Sequence, residues 1–138
     1  MYEIELDRLP PSVNHAYIIR NVKGRILRFR TARAQEYFKY VKRECFRQLN
    51  KVKILTHPIS IHIEVSLRDK RKRDIDNLLK ILLDSFEGVL WADDSQIFEL
   101  YIKKSFDKNQ KIRVKITPIP YGIQSQNTVK SYIDEENQ

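Results

Sequence analysis

The spacing of apolar and polar residues predicts both strands and helices along residues 2–117. Alternation is clearest from Ile59 to Leu67, where every second residue is aliphatic, and this period is typical of a strand with one buried face. Weaker patterns predict further strands at residues 2–6, 16–20, 25–30, 97–104 and 111–117. We expect residues 16–20 and 25–30 to be the arms of a hairpin, because residues 21–24 end in a glycine that tolerates a positive φ.

Two longer segments carry apolar residues at helical spacing. The first helix is predicted at residues 32–50, with the Thr31 hydroxyl as its N-terminal cap. The second is predicted at residues 75–87, and Gly88 is placed to end it. Apolar residues cover more than half of the circumference of this second helix, so we expect it to be buried against a sheet and against something else, such as a second subunit.

These elements predict a single α+β domain in which two main helices pack on a mixed, mostly antiparallel sheet. Pro10 and Pro11 require an extended turn after the first strand, since consecutive prolines fix φ and remove hydrogen-bond donors. The domain is predicted to span residues 1–118. Residues 119–138 are rich in Gln, Ser, Asn and Glu, which predicts a polar C-terminal tail without a chemical role.

Composition narrows the class of partner. The 138 residues contain 26 Lys and Arg against 18 Asp and Glu, a formal net charge of +8, and this excess favours nucleic acid. A membrane partner is disfavoured because there is no long apolar run and no lipidation motif. The single cysteine, Cys45, excludes an internal disulfide and a cysteine-based zinc site. Together with an N-terminus unlike a signal peptide, it indicates a cytoplasmic location.

The most informative segment joins a basic run to two carboxylates. Residues 68–73 contain five cations and are followed directly by Asp74 and Asp76, while Asp93 and Asp94 come after the second helix. A structural alternative exists, because Asp74 suits a helix N-cap and Asp76 complements the helix dipole. If the chain doubles back after the second helix, three carboxylates share one site, and their repulsion favours a bound divalent cation.

Oxygen ligands without clustered histidine or cysteine favour Mg²⁺ or Mn²⁺ over zinc, and the spacing of an EF-hand calcium loop is absent. Lys80 lies one helical turn after Asp76 and therefore on the same face. It forms either an exposed ion pair or a contact to substrate phosphate or developing charge. His15, His57 and His62 lack the spacing of a ligand set and are interpreted as structural.

Three separated motifs carry a resemblance to a known family. Residues 73–80, Arg-Asp-Ile-Asp-Asn-Leu-Leu-Lys, resemble the Arg, Asp, apolar, Asp, Asn, Leu, any, Lys signature of the RusA family of Holliday junction resolvases. Residues 91–97, Trp-Ala-Asp-Asp-Ser-Gln-Ile, look like its Trp, apolar, Asp, Asp, small, Gln, Val motif. Residues 10–14, Pro-Pro-Ser-Val-Asn, are similar to its early Pro, Pro, Ser, any, Asn element, and the likeness extends over residues 2–117.

The resemblance implies roles for six residues. These are Asp74, Asp76 and Asp94 as metal-binding catalytic carboxylates, Lys80 as an essential basic partner, and Asp93 and Asn77 in supporting positions. It also implies a small homodimer with a mixed α/β fold that uses Mg²⁺ or Mn²⁺ to cut a four-way DNA junction, one strand per subunit. We expect 5′-phosphate and 3′-hydroxyl ends. The chain departs from the family pattern at two points: Ala92 replaces a larger apolar residue, and the tail is longer. These differences concern the dimer more than the chemistry.

Two groups of cations are expected to bind the phosphate backbone of DNA, with a solvated basic surface as the alternative. They are Lys70, Arg71, Lys72 and Arg73 before the second helix, and Arg25, Arg28 and Arg30 on the hairpin. Asn14 touches DNA, fixes a loop near the site or is an ordinary turn residue. Trp91, Phe29 and Tyr17 are candidates for stacking on unpaired bases, although a core position is favoured for Trp91.

Two other functions are compatible with these patterns. One is a DNA-binding protein without catalysis, in which the aspartates only cap a helix. The other is a magnesium-dependent phosphohydrolase for a small phosphate ester, although the positive charge exceeds what such a substrate requires. Metal-dependent nicking of a synthetic junction tests the first alternative, and competition between junction DNA and a small phosphate ester tests the second.

Overall fold

The computed structural model describes residues 1–120, so the predicted tail lies almost entirely outside the described residues. The elements are β1 (Tyr2–Leu6), α1 (Val13–Ala16), β2 (Tyr17–Val22), β3 (Arg25–Arg30), α2 (Ala32–Gln48), β4 (Ile59–Leu67), α3 (Ile75–Phe86), a 3₁₀ turn (Asp94–Gln96), β5 (Ile97–Phe106) and β6 (Lys111–Pro118). The predicted strands and the two main helices are confirmed, with ends that shift by one or two residues. The short helix α1 was not predicted, since four residues carry no periodic signal.

Four strands form one sheet in the order β1-β6-β4-β5. β6 is antiparallel to both β1 and β4, whereas β5 is parallel to β4, so the prediction of a mixed, mostly antiparallel sheet is confirmed. A parallel pair needs a crossover connection, and α3 supplies it between β4 and β5. β5 and β6 are consecutive in sequence but lie on either side of β4. β5 therefore forms an edge of the sheet.

The hydrophobic core lies between one face of this sheet and the helices α2 and α3. All five aliphatic residues that alternate along β4 are buried, as their spacing predicts. Trp91 is fully buried beside Phe86 at the end of α3, which confirms its predicted core position. Gly88 follows α3 with a φ of +81°, the left-handed conformation predicted for the residue that ends this helix.

The strands β2 and β3 form a separate two-stranded hairpin. Its turn has two residues, Lys23 and Gly24, both with positive φ (52° and 81°), which is the geometry of a type I′ turn. The predicted four-residue turn was therefore too long, because β2 continues to Val22. No helix within residues 1–120 is long and apolar enough to cross a membrane.

Candidate active site

Asp74 and Asp76 lie at the start of α3, after the chain has left the sheet at the end of β4. Asp74 occupies the N-cap position with an extended backbone, yet its side chain makes no capping hydrogen bond. Both residues are exposed, and within the described part of the chain neither carboxylate has a hydrogen-bond or ion-pair partner. The helix dipole stabilises negative charge at this position. The carboxylates of Asp74 and Asp76 are thus both available to bind a ligand, since neither is used in a contact within the described protein.

The loop that precedes α3 is held by Asp69. The Arg73 guanidinium donates to both carboxylate oxygens of Asp69, at 2.8 and 3.2 Å, and the amide of Arg71 donates to the same carboxylate at 3.0 Å. The hydrogen bond from Arg73, with that from the Arg71 amide, lowers the pKa of Asp69 to about 2. Lys104 of β5 donates to the carbonyl oxygen of Arg73 at 2.5 Å. Arg73 therefore shapes this loop, whereas Lys70 and Lys72 stay exposed.

Asp93 and Asp94 have different surroundings. Asp93 caps the 3₁₀ turn through the amide of Ser95, and hydrogen bonds from Ser95 lower the pKa of Asp93. Asp94 accepts a hydrogen bond of 2.8 Å from the indole nitrogen of Trp91, and its amide donates to Glu87 at 3.2 Å. Burial raises the pKa of Glu87, and the carboxyl group of Asp94 raises it further. Trp91 thus orients the one carboxylate of this segment that the resemblance assigns to metal.

The two acidic segments lie at opposite ends of α3. Asp74 and Asp76 are at its first turn, whereas Asp94 bonds to Glu87 directly after its last residue. The 12 residues of α3 span about 18 Å at ~1.5 Å per residue. Within residues 1–120, no group of three or more His, Cys, Asp or Glu side chains is arranged to hold a metal ion. The expectation that the chain doubles back to gather three carboxylates in one site is therefore wrong for a single subunit.

These residues fit a hard divalent cation in the chemistry of their donors, because carboxylate oxygens are the ligands that Mg²⁺ and Mn²⁺ prefer. The unpartnered pair Asp74 and Asp76 supplies two such donors, and the carboxylate of Asp94, held by the indole of Trp91, supplies a third. Within one chain, the proposed ligands thus lie at two separate places: Asp74 and Asp76 at the start of α3, and Asp94 beyond its end.

Lys80 pairs with Asp84 rather than with Asp76. The ammonium group lies 3.3 Å from one carboxylate oxygen of Asp84, and the hydroxyl of Tyr17 donates to the other at 2.5 Å. Burial and this hydrogen bond raise the pKa of Tyr17 to about 12. The i,i+4 spacing of Lys80 and Asp84 was a readable signal for this pair, but nothing in the sequence linked Tyr17 to α3.

The early proline motif also contacts α3. The side-chain oxygen of Asn77 accepts a hydrogen bond of 3.0 Å from the amide of Val13, 64 residues earlier. This bond holds residues 10–14 beside the first turn of the helix, and Asn14 in this segment is exposed. Asn77 therefore positions residues 10–14 against α3, and its supporting role in the site stays a prediction.

Two of the hairpin arginines are stacked on aromatic rings. The guanidinium of Arg28 lies 4.1 Å from the ring centre of Tyr17, and that of Arg30 lies 4.1 Å from the ring centre of Phe38 on α2. Arg25 is exposed near the turn. Tyr17 is thus occupied on its ring and on its hydroxyl, which leaves Phe29 as the accessible aromatic of the hairpin.

Comparison with known proteins gives one consistent group. A family model described as "Endodeoxyribonuclease RusA" matches residues 9–117. A crossover junction endodeoxyribonuclease RusA of Aquifex aeolicus is 34% identical over 119 residues, which cover 84% of this chain and 90% of that protein. The protein of the same name from Escherichia coli K12 is 32% identical over 110 residues, 78% of this chain and 88% of its own length. The counterpart of Enterobacteria phage 82 is 34% identical over 65 residues, 46% of this chain and 54% of that protein.

Proposed function

Because the chain belongs to the RusA family of endodeoxyribonucleases, we propose that it resolves four-way DNA junctions by cutting phosphodiester bonds. The observation that supports this best is the pair of unpartnered carboxylates, Asp74 and Asp76, at a helix start directly after a cationic loop. Anionic DNA is drawn to the loop, and the carboxylates then face its backbone. Branched DNA is the substrate, and the products carry 5′-phosphate and 3′-hydroxyl ends.

Asp74, Asp76 and Asp94 are the proposed ligands of Mg²⁺ or Mn²⁺. A divalent cation bound there would lower the pKa of a water molecule and stabilise negative charge on the phosphate in the transition state. The residues of the chain do the rest: Trp91 orients Asp94, and Asp84 holds the Lys80 ammonium group in reach of a bound phosphate. Asp93 supports the 3₁₀ turn that carries Asp94.

We propose that the protein is a homodimer that pairs through β5. The outer edge of this strand has no neighbour within the described residues, and three of its large apolar side chains are exposed: Phe98 (65%), Leu100 (42%) and Phe106 (61%). Glu99 lies near the start of β5, and Lys103 lies near its end. Antiparallel self-pairing would set these opposite charges against each other, whereas parallel pairing would align like charges.

This dimer would also complete the ligand set. Asp94 precedes the start of β5, while the end of β5 carries Lys104, which bonds to the residue before Asp74. Antiparallel pairing about a two-fold axis sets the start of one β5 beside the end of the other. Asp94 of one protomer would then lie at the same end of the paired strands as Asp74 and Asp76 of its partner. Two equivalent sites would result, one for each strand to be cut.

Lys70, Arg71 and Lys72 are the proposed contacts to the DNA backbone at the loop before α3. Arg73 and the stacked Arg28 and Arg30 are already engaged within the protein, so their contribution to phosphate binding is secondary. Arg25 remains a direct contact on the hairpin. Neutralising Lys70 and Lys72 together is expected to reduce the slope of log affinity against log salt concentration by about 2, because each phosphate contact contributes ~0.9 to that slope.

The test is incubation of the protein with a mobile four-way junction, with Mg²⁺ and with a chelator. The expected result is paired nicking in Mg²⁺ only, and loss of nicking with retained junction binding in Asp76→Asn. Glu3→Gln is the matched control, since it removes one exposed negative charge from β1, away from α3. Equal nicking by Asp76→Asn and Glu3→Gln would refute the assignment.

The separation of the acids within one chain favours a second candidate, a DNA-binding protein without catalysis. In that case the junction would be bound with the same salt dependence but would stay intact at every Mg²⁺ or Mn²⁺ concentration. Nicking above the level of the Asp76→Asn variant excludes this candidate.

A further inference from the structure

The β2–β3 hairpin carries an apolar surface that stays exposed among the described residues 1–120. Register along the hairpin pairs Ile18 with Phe29 and sets Val22 and Leu27 on the same face. These four side chains are each between 38% and 44% exposed. A monomeric protein seldom leaves such a cluster in water without a binding role.

The same hairpin is strongly cationic. From Tyr17 to Arg30 it contains Arg20, Lys23, Arg25, Arg28 and Arg30, and it contains no acidic residue. Arg20 and Arg25 share the face of the apolar cluster, because they pair with Leu27 and Val22 across the strands. The partner of this face must therefore be both apolar and anionic.

The base of the hairpin is fixed to the helices. The hydroxyl of Tyr17 bonds to Asp84 of α3, and Arg30 lies over Phe38 of α2. The amide of Thr31 donates to the carbonyl oxygen of Ala16 at 2.9 Å, which closes the hairpin at its root. An isolated two-stranded hairpin is only marginally stable in water, so these anchors give the projecting strands a defined direction. The cluster thus lies on a hairpin that is anchored at its base to the helix that carries Asp74 and Asp76.

The charge of the hairpin distinguishes between the possible binding partners of its apolar face. A second copy of the hairpin would bring five positive charges against five, which opposes association through this face. A small anion would satisfy the arginines but would leave the apolar cluster in water. Bases that have lost their stacking partner offer apolar faces beside phosphates, and both aromatic and aliphatic side chains can cover such faces.

We propose that the hairpin inserts at the branch point of the junction, where Phe29, backed by Ile18, covers an unstacked base pair while Arg20 and Arg25 contact the flanking phosphates. The proposal rests on the proposed function, since it takes branched DNA as the substrate. It assigns structure selectivity to the hairpin and leaves the cutting chemistry to the acidic residues.

The test uses a four-way junction with 2-aminopurine beside the branch point, in the presence of a chelator so that no cutting occurs. Wild-type protein is expected to raise the 2-aminopurine fluorescence, because the base loses its stacking. Phe29→Ala is expected to lose most of this rise and about tenfold in preference for the junction over a linear duplex. Phe46→Ala is the matched control, as Phe46 is an exposed phenylalanine on α2 outside the hairpin.

The outcomes separate the two proposals. A wild-type protein that neither prefers nor cuts the junction overturns the proposed function and this inference with it. If the wild type cuts the junction but Phe29→Ala and Phe46→Ala give the same fluorescence and the same preference, the insertion alone is wrong. A shift of Phe29→Ala to a smaller species in sedimentation would also overturn it, since the face would then be a contact between copies. Ile18→Ala provides a second variant with the same expectation as Phe29→Ala but a smaller effect.

Discussion

The hydroxyl of Tyr17 donates a hydrogen bond of 2.5 Å to the carboxylate of Asp84, which lies 67 residues later in the chain. The other oxygen of the same carboxylate lies 3.3 Å from the Lys80 ammonium group. One side chain of α3 therefore joins the root of the hairpin to the basic residue that we assign to the reaction. This arrangement leads to separate predictions for the hydroxyl and for the carboxylate.

Replacing Tyr17 with Phe is expected to lower the free energy of unfolding at pH 7 by about 1.5 kcal/mol, the lower end of the range for a hydrogen bond to a charged group. Burial, followed by the bond to Asp84, raises the pKa of Tyr17 from 10.0 to about 12. The neutral hydroxyl is thus favoured in the folded protein, and its contribution is fully present below pH 10 and lost as the pH rises through 12. Urea unfolding at pH 7 and pH 11.5 measures both effects.

The stability difference between the wild type and Tyr17→Phe should therefore be smaller at pH 11.5 than at pH 7. Tyr101→Phe serves as control, because the hydroxyl of Tyr101 bonds to no residue within 1–120 while its ring stacks on His62. A Tyr17→Phe difference that is independent of pH would contradict the role of the hydroxyl.

The carboxylate of Asp84 is expected to act through Lys80. Asp84→Asn keeps an oxygen acceptor for Tyr17 but removes the charge that holds the Lys80 ammonium group, so single-turnover cleavage should slow by about tenfold with little change in junction affinity. Lys80→Ala should slow cleavage further. The double variant should cleave at the rate of Lys80→Ala alone, because a positioning residue has no effect once the residue it positions is gone. Additive losses would show that Asp84 acts independently.

The helices and strands of this fold could be predicted from the sequence, but the order of the strands in the sheet could not. Alternation along β4 and the broad apolar stripe of α3 report burial directly, and both predictions hold. Nothing in these local patterns reports that β4 separates β5 from β6, since strand order depends on long-range packing.

The same limit explains the acidic site. The motifs identified Asp74, Asp76 and Asp94, but their separation by the length of α3 follows from the direction of a β-α-β crossover and not from residue types. The bond between Tyr17 and Asp84 was equally hidden, because a tyrosine hydroxyl has no preferred spacing to its acceptor.

If the protein dimerises through the exposed edge of β5, a single charged substitution on this strand should dissociate the dimer. Leu100→Asp introduces a carboxylate into the apolar stripe that Phe98 and Phe106 extend, and a buried, unpaired charge is strongly unfavourable. We expect the variant to sediment as a monomer at concentrations where the wild type is a dimer, and to lose junction cleavage. Phe46→Asp is the control and should remain dimeric. A wild-type protein that is monomeric, or a dimeric Leu100→Asp, would exclude β5 as the interface.

Mixing two inactive variants distinguishes a site shared between protomers from a site within one chain. Asp76→Asn and Asp94→Asn are each expected to abolish cleavage. If one protomer supplies Asp76 and its partner supplies Asp94, a mixed dimer has one site with both substitutions and one site with neither. Random exchange yields about half mixed dimers, so about a quarter of the wild-type number of intact sites should return.

Recovery of nicking on mixing therefore follows only from the shared arrangement. In a site built within one chain, every site of the mixed dimer would still lack either Asp76 or Asp94, and nicking would stay at the level of the separate variants. Since each mixed dimer has one intact site, it should nick one strand of the junction without completing the paired cut, and denaturing gels that follow the two strands separately detect this. Mixing Asp76→Asn with an Asp74→Asn variant is the control: these two acids belong to the same α3 start, so both sites of that mixed dimer remain damaged and no nicking should return.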